Sequence, residues 1–210
     1  GQSVFIHDFE MQISGADVDL GAIREKFQTA FAQVWQGAME SDGLNRLIVF
    51  AGLGWREIVM LRAYIRYLKQ TGAAFSQTSV EDTLNRNPEI TRRLVALFMC
   101  LDPRSQEGAR ARADKLTLDI ERALDAVTNL EEDRILRRIL NLILSTLRTN
   151  YFQIDSAGAP KPYLSFKLDS RKVAELPPPR PMVEIFVYSP RTEGVHLRGG
   201  DGGGTHAADD

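Results

Sequence analysis

The hydrophobic pattern of this chain begins with a period of two. Phe5, Phe9, Met11 and Ile13 alternate with polar residues over positions 4–13. This alternation is typical of a half-buried strand. Because a lone strand is unstable, its partners are expected in the C-terminal part of the chain or outside it.

From residue 19 the pattern becomes helical, with apolar residues recurring three and four positions apart. Asp17 or Asp19 is suited to cap the first helix, and Ser76 a later one. Pro88 is suited to the first position of its helix, where a missing N–H costs nothing. The pattern predicts helices from residue 19 to Gly43 and over 44–51, 55–69, 80–86, 89–101, 105–127 and 131–149.

The helix predicted over 131–149 is apolar around more than half of its circumference. Such a helix is buried on more than one side. We expect it to be either the centre of the helical bundle or a surface that receives something absent from this chain.

After Asn150 the chain is rich in β-forming residues. Strands are predicted over 151–154, 163–168 and 183–188, and Leu164, Phe166 and Leu168 form the buried face of the second. The proline-rich run at 177–181 excludes a helix there. The predicted fold class is α+β, predominantly α: a helical bundle segment flanked by a short N-terminal strand and a C-terminal group of β-strands.

The amino-acid composition excludes several classes of function and of bound partner. The 210 residues carry 26 Lys+Arg against 28 Asp+Glu, so no net charge favours nucleic acid or an anionic membrane. One cysteine, Cys100, and three histidines exclude a disulfide framework and a cysteine-rich zinc site. No apolar run approaches the roughly 18 residues of a membrane span. We expect no nucleic-acid partner, no membrane partner and no bound metal.

The short motifs in the sequence do not indicate a catalytic or binding site. Gly52 and Gly54 lack the third glycine and the preceding strand of a dinucleotide loop, which favours a helix–helix turn. Cys100 lies in an apolar run and is expected to be a buried, inert thiol. The basic pairs on the helices lie near carboxylates, which favours solvated faces or salt bridges over a nucleic-acid surface.

One helix carries a more unusual set of side chains. Tyr64 and Tyr67 stand beside Arg62 and Arg66. A cation–π ladder along this helix could form an anion pocket, whereas amphipathic packing is the simpler interpretation.

Several longer segments carry a resemblance to a known family. They are PYLSFKLDS at 162–170, ELP at 175–177, RPMVEIFVYSPR at 180–191 and EGVHLRGG at 193–200, preceded by LNRL at 44–47, GL at 52–53, WRE at 55–57, LRAY at 61–64, RYL at 66–68 and FSQ at 75–77. Together they resemble the large bacterial NAD-specific glutamate dehydrogenases over residues 5–200.

The resemblance implies an internal piece of a much longer cytoplasmic and homo-oligomeric enzyme. Residues 1–16 would end a preceding regulatory domain of ACT type, 17–149 would be a helical domain, 150–200 would be the first strands of the glutamate-binding catalytic domain, and 201–210 a flexible tail. The parent enzyme would convert L-glutamate to 2-oxoglutarate and ammonia with NAD. Arg198, Gly199 and Gly200 are the candidate substrate-binding residues.

The last ten residues depart from the family. After Gly200 the family continues into a second glycine pair with substrate-binding basic residues and then the catalytic lysine, whereas 201–210 reads DGGGTHAADD. The resemblance therefore implies a segment with no catalytic residue and no bound NAD, which alone is inactive. The alternative is a stand-alone helical regulatory or interaction module in which the helix at 131–149 docks a partner.

Overall fold

A computed structural model describes residues 19–105, 107–174 and 176–199. The helical part precedes a small sheet along the chain. The helices are α1 Leu20–Trp35, α2 Leu47–Phe50, α3 Trp55–Gln70, α4 Gln77–Arg86, α5 Pro88–Met99, α6 Ala109–Leu124 and α7 Leu130–Leu144, with a 3₁₀ turn at Gly43–Arg46. The strands are β1 Thr146–Thr149, β2 Leu164–Asp169, β3 Val183–Ser189 and β4 Thr192–Arg198. This confirms a helix-dominated α+β fold.

The predicted caps Asp19 and Ser76 form, although the helix predicted over 80–86 begins three residues earlier, at Gln77. Asp19 accepts a hydrogen bond from the Gly21 amide at 2.9 Å. Ser76 accepts one from the Ser79 amide at 3.0 Å, and Pro88 is the first residue of α5. These side chains satisfy or avoid amide groups that a helix leaves unpaired at its N-terminus. The predicted strand at 4–13 and the tail at 201–210 lie outside the described residues.

The four strands form an antiparallel meander in the order β1-β2-β3-β4. Phe166 of β2 pairs with Phe186 of β3, which in turn pairs with Val195 of β4. Because side chains alternate along a strand, Phe166 and Phe186 point to the same face of the sheet. That face carries the buried residues and packs against the helices.

Two predictions for residues 131–154 are wrong, the first only at the C-terminal end of its helix. The helix predicted over 131–149 ends at Leu144, and residues 146–149 form β1. The Ser145 carbonyl there accepts the Asp169 amide at 2.9 Å, so sheet pairing replaces the helical bonds. Residues 151–154 form no strand, since only Ile154 makes a single bridge, to Pro160.

Two helix boundaries and one strand also differ from the prediction. The first helix, predicted to extend to Gly43, ends at Trp35, two residues before Gly37 with a φ of 71°. The helix predicted over 105–127 begins only at Ala109, after Gly108 with a φ of 69°. A positive φ is open mainly to glycine and interrupts a right-handed helix. Strand β4 was not predicted, because its sequence TEGVHLR has little alternation and a central glycine.

The hydrophobic core is continuous between helices and sheet. It joins residues of α3, α5 and α7 to the inward residues of β2 and β3. Ile135, Leu136 and Ile139 of α7 are fully buried among α3, α4, α5 and α6. Of the two expectations for this helix, that of a bundle centre is thus confirmed, and its apolar face is covered except at its ends, where Leu130 and Leu144 are 64% and 49% exposed. None of the described helices is long and apolar enough to cross a membrane.

Candidate functional site

Helix α3 is the element that joins the helical bundle to the sheet. Ten of its 16 residues are buried, among them Arg62, Tyr64 and Tyr67. Residues three positions apart lie on one side of a helix, so Tyr64 and Tyr67 form a common face. That face meets the sheet. We call the contact between α3 and the sheet the α3–sheet junction.

Aromatic rings form the apolar part of the α3–sheet junction. The Tyr64 ring stacks on Phe166 with centroids 4.5 Å apart and planes 10° apart. The Tyr67 ring lies 5.5 Å from that of Phe186. Phe98 of α5 meets Phe166 edge-on at 6.1 Å. Each such pair contributes about 0.5–1.5 kcal/mol beyond the area it buries.

Both tyrosine hydroxyls of the junction donate hydrogen bonds to partners outside α3. The Tyr64 hydroxyl lies 2.7 Å from Thr146 Oγ1 of β1, and that oxygen donates its own proton to the Leu142 carbonyl at 2.8 Å. Tyr64 is therefore the donor. The Tyr67 hydroxyl donates to Glu184 Oε2 of β3 at 2.5 Å. The bonds fix the position of α3 over two different strands.

Burial raises the pKa of both tyrosines well above the ordinary value. For Tyr64, desolvation is the main cause and the Thr146 hydrogen bond opposes it. For Tyr67, desolvation comes first and the hydrogen bond with the Glu184 carboxylate raises the pKa further. Both hydroxyls thus remain protonated donors at neutral pH.

Arg62 and Arg66, two of the cations of α3, are held by carboxylates. Arg62, 1% exposed, donates from Nε to Asp42 Oδ2 and from Nη2 to Asp42 Oδ1, each at 2.7 Å. Arg66 donates to Glu40 at 3.1 Å and lies 3.9 Å from Glu193 of β4. The two parallel hydrogen bonds from Arg62 to Asp42 are the strong form of an arginine–carboxylate interaction.

The packing interpretation of the four residues is therefore confirmed. Arg62 and Arg66 face the carboxylates of Asp42 and Glu40, and the tyrosine rings face the sheet. Among the described cation–π contacts on α3, the cation is Arg56, which lies 4.7 Å from the Tyr151 ring centroid. An anion pocket built on Arg62 and Arg66 is excluded, because their charges are already neutralised.

Glu184 is the junction residue that sequence reasoning missed. It is 4% exposed and lies inside an otherwise apolar strand. The signal was present, since Glu184 shares the parity of Phe186 and Tyr188, which point inward. A carboxylate on the inward side of a strand needs a buried partner.

The predicted substrate residues lie away from the α3–sheet junction. Arg198 is the last residue of β4, where it pairs with Val183, and it is exposed. The Gly199 carbonyl accepts the Met182 amide at 3.2 Å. Gly200 lies outside the described residues. The substrate role of all three stays a prediction.

Cys100 and the basic pairs have ordinary surroundings. Cys100 is half-buried, so the expectation of full burial is wrong, and its sulfur accepts a weak hydrogen bond from Arg112 Nε at 3.5 Å. Arg92 pairs with Glu89, and Arg137 pairs with Asp133 and Asp125. These arginines form the surface salt bridges that the sequence indicated.

The described residues form no dinucleotide-binding loop for NAD. A dinucleotide loop joins a parallel strand to a helix N-terminus, whereas Gly52 and Gly54 join α2 to α3 and the sheet is antiparallel. The Glu57 carboxylate also accepts the Gly54 amide at 2.6 Å, so an anion already occupies the start of α3. Within the described ranges, no group of three or more histidine, cysteine or acidic residues is placed to hold a metal ion.

Comparison with known proteins gives two family matches. A family described as "Glutamate dehydrogenase, helical motif 3" matches residues 39–103, and "Bacterial NAD-glutamate dehydrogenase, catalytic domain" matches 119–208. The chain is also 46% identical over 200 residues to an NAD-specific glutamate dehydrogenase of Halomonas elongata, which covers 94% of this chain. The resemblance to the bacterial NAD-specific glutamate dehydrogenases is confirmed.

Two more relatives carry the same name. The NAD-specific glutamate dehydrogenase of Pseudomonas aeruginosa is 46% identical over 205 residues, and that of Mycobacterium tuberculosis is 40% identical over 213 residues. The chain spans only 12–13% of the length of these curated relatives. The helical-motif match contains α3, and the catalytic-domain match contains the whole sheet. The domain boundary at 149/150 stays a prediction.

Proposed function

We propose that this chain is a segment of an NAD-dependent glutamate dehydrogenase. The parent enzyme would oxidise L-glutamate to 2-oxoglutarate and ammonia and transfer the hydride to NAD. The segment's own role is structural: it fixes a helical block to the first strands of the glutamate-binding domain. The support for this is the α3–sheet junction, where a helix of the helical-motif match packs on a sheet of the catalytic-domain match.

The chemistry of the junction suits a rigid connection. Apolar packing alone tolerates sliding, whereas buried hydrogen bonds are satisfied in one position only. The buried Tyr64–Thr146 and Tyr67–Glu184 bonds reach β1 and β3. An exposed bond, from Gln70 Nε2 to Glu193 of β4 at 2.9 Å, adds the third contact. A displacement of α3 along the sheet would break all three bonds together.

The remaining properties of the parent are proposals of the same kind. We place the parent in the cytoplasm as a homo-oligomer, with the remainder of its polypeptide as the partner of this segment. NAD would bind elsewhere in the parent. Arg198, Gly199 and Gly200 would contact the glutamate substrate from the end of β4. The stand-alone module has less support, because the middle of the α7 face that it requires, at Ile135, Leu136 and Ile139, is fully buried.

The test compares this chain with a complete parent polypeptide that contains it. With L-glutamate and NAD, the chain alone is expected to form no NADH, and the complete polypeptide is expected to form it. NADH formation by the chain alone would contradict the structural role. A folded complete polypeptide without glutamate-dependent turnover would contradict the glutamate dehydrogenase assignment.

A substitution in the same polypeptide tests the substrate residues. Arg198→Gln is expected to raise the KM for glutamate roughly tenfold, because it removes a hydrogen bond between a cation and the substrate carboxylate. A tenfold change corresponds to about 1.4 kcal/mol of binding free energy. Arg110→Gln, on the exposed side of α6, is the matched control and should leave KM unchanged. Equal KM values for both variants would remove Arg198 from the site.

A further inference from the structure

A cleft lies at the turn of the β3–β4 hairpin, at the opposite end of that hairpin from Arg198. It has a volume of about 730 Å³ and is bounded by the end of α1, the start of α3, residues 160–164 and the β3–β4 turn. Sites for small molecules commonly have about 300–1,000 Å³. Thr192 borders the cleft, and strand β4 then runs ~20 Å to Arg198 at about 3.3 Å per residue. The cleft is therefore separate from the predicted substrate residues.

The charged side chains that line the cleft are all positive. Arg56, Lys161 and Arg191 are among its lining residues, and no aspartate or glutamate is among the described residues that line it. In the described part of the chain none of the three forms an ion pair, whereas Arg62 and Arg66 are both paired. Three unneutralised cations at one cleft attract an anion.

Arg56 is the most constrained of the three cations. Its guanidinium lies over the Tyr151 ring at 4.7 Å, and Nη2 donates to the Tyr151 carbonyl at 2.7 Å. Burial lowers the pKa of Arg56, and its contacts with Tyr151 oppose that shift. An arginine stays charged at neutral pH even so. It therefore presents a positioned, partly desolvated positive charge with no carboxylate partner.

The walls of the cleft are apolar and aromatic. Trp55 is half-buried beside Arg56, Tyr163 is 46% exposed, and Leu164 is 4% exposed. Tyr188 also lines the cleft, and its buried hydroxyl has no hydrogen-bond partner among the described residues. Aromatic walls favour a flat apolar ring, which packs on them by stacking or edge-to-face contact.

We propose that this cleft binds a small organic anion that carries an aromatic ring. The carboxylate or phosphate of the ligand lies among Arg56, Lys161 and Arg191, and its ring packs against Trp55. Arginine recognises carboxylate and phosphate groups by two parallel hydrogen bonds. The site is additional to the structural role proposed above and does not depend on it.

The probe for the test is 2-naphthoate, with the neutral 2-naphthamide as its matched isostere. The chain has two tryptophans, Trp35 and Trp55, so its indole N–H groups give two nuclear magnetic resonance signals. Trp35 is 83% exposed and does not line the cleft. A Trp35→Phe variant assigns the two signals. 2-Naphthoate is expected to shift the Trp55 signal saturably, and 2-naphthamide to bind at least tenfold more weakly.

Lys161→Gln and Arg191→Gln are each expected to weaken the binding of 2-naphthoate about three- to tenfold. Neither side chain forms an ion pair with a described residue, so both variants should keep the fold. Lys115→Gln on the exposed part of α6 is the control and should bind like the unchanged chain.

Three results would overturn the proposal. They are equal binding of naphthoate and naphthamide, an unmoved Trp55 signal, and unchanged affinity in both cleft variants. Inorganic phosphate is the third probe and is expected to bind at least tenfold more weakly than 2-naphthoate. Equal affinity for phosphate would remove the aromatic ring from the proposed ligand class.

Discussion

Helices α3 and α6 have the same length of 16 residues but very different surroundings. Ten residues of α3 are buried, whereas only Ile120 and Leu124 are buried in α6. Helix α3 lies between the other helices and the sheet, and α6 packs on α5 and α7 at the outside. The comparison shows that an amphipathic pattern alone does not tell a central helix from a peripheral one.

The polar residues explain the difference between the two helices. On α3, Arg62, Tyr64 and Tyr67 are buried and each has a partner outside the helix. On α6, Arg122 is paired only with Asp119 of the same helix, at 3.9 Å and largely exposed. A buried, partnered polar group is costly to disturb, whereas an exposed ion pair contributes about 0–1 kcal/mol. Substitutions in α3 should therefore have much larger effects.

The largest expected effect is alkaline unfolding. Burial raises the pKa of Tyr64, Tyr67 and Tyr188, and it raises that of Tyr151 to about 12 despite the opposing charge of Arg56. The folded state therefore holds protons that the unfolded state loses above pH ~10, so this stability is complete below that pH and is lost above it. Above pH ~10 each tyrosine lowers the free energy of unfolding by about 1.4 kcal/mol per pH unit, so the four together lower it by ~6 kcal/mol at pH ~11.

The measurement is the free energy of unfolding in urea between pH values of about 9 and 11. The Tyr64→Phe variant provides the control, because it removes one of the four tyrosines. It should reduce the slope of stability against pH by roughly a quarter in this range. A slope that is the same in the variant would contradict the buried-tyrosine account.

Arg62→Met is expected to have the next largest effect. It removes the partner of the Asp42 carboxylate, whose side chain is 12% exposed. Removing one member of a buried ion pair costs about 3–5 kcal/mol, and this site, whose carboxylates keep some solvent contact, should lie near ~3 kcal/mol. The double variant Arg62→Met/Asp42→Asn should recover part of the loss, because asparagine still caps the 3₁₀ turn through the Leu44 amide. A single variant as stable as the unchanged chain would refute the role of this pair.

Tyr67→Phe is expected to cost about 1–3 kcal/mol, because it leaves the Glu184 carboxylate buried without its donor. Chemical denaturation of the chain at neutral pH measures this change in the free energy of unfolding. The double variant Tyr67→Phe/Glu184→Leu removes both polar groups and should be close to neutral by the same reasoning. Tyr163→Phe is the exposed control. Equal stability of the two single variants would place the Tyr67 hydroxyl outside the network.

The smallest effect is expected on α6. Leu118 is 53% exposed there, and Leu118→Ala should change the free energy of unfolding by less than about 0.5 kcal/mol. Leu61 of α3 is fully buried, and Leu61→Ala should cost about 2–5 kcal/mol. Thermal unfolding of both variants gives the comparison. Similar costs for the two leucines would remove the distinction between the central and the peripheral helix.

Local sequence signals were sufficient to predict that most of the helices exist and where several of them begin. Asp19, Ser76 and Pro88 specify where helices begin, because each acts through its own backbone and its nearest neighbours. The alternation of Leu164, Phe166 and Leu168 gave the buried face of β2. The similarity to glutamate dehydrogenases also followed from residues close together in the chain.

The remaining elements and contacts could not be predicted, because they depend on residues that are far apart in the sequence. Residues 146–149 continue an apolar helical pattern, and only their pairing with β2, some twenty positions later, makes them a strand. Tyr67 and Glu184 are 117 positions apart, so neither reveals the other in the sequence. The same holds for the cleft, whose cations Arg56, Lys161 and Arg191 come from three distant segments.

The central claim is that helical block and sheet form one cooperative unit through the α3–sheet junction. Amide hydrogen exchange of the chain tests it directly, because each amide reports the opening of its own element. The account predicts that α3, β2 and β3 share the slowest exchange and respond equally to Tyr67→Phe, while α6 exchanges faster. Exchange of β2 and β3 that is much faster than that of α3, and insensitive to Tyr67→Phe, would contradict it.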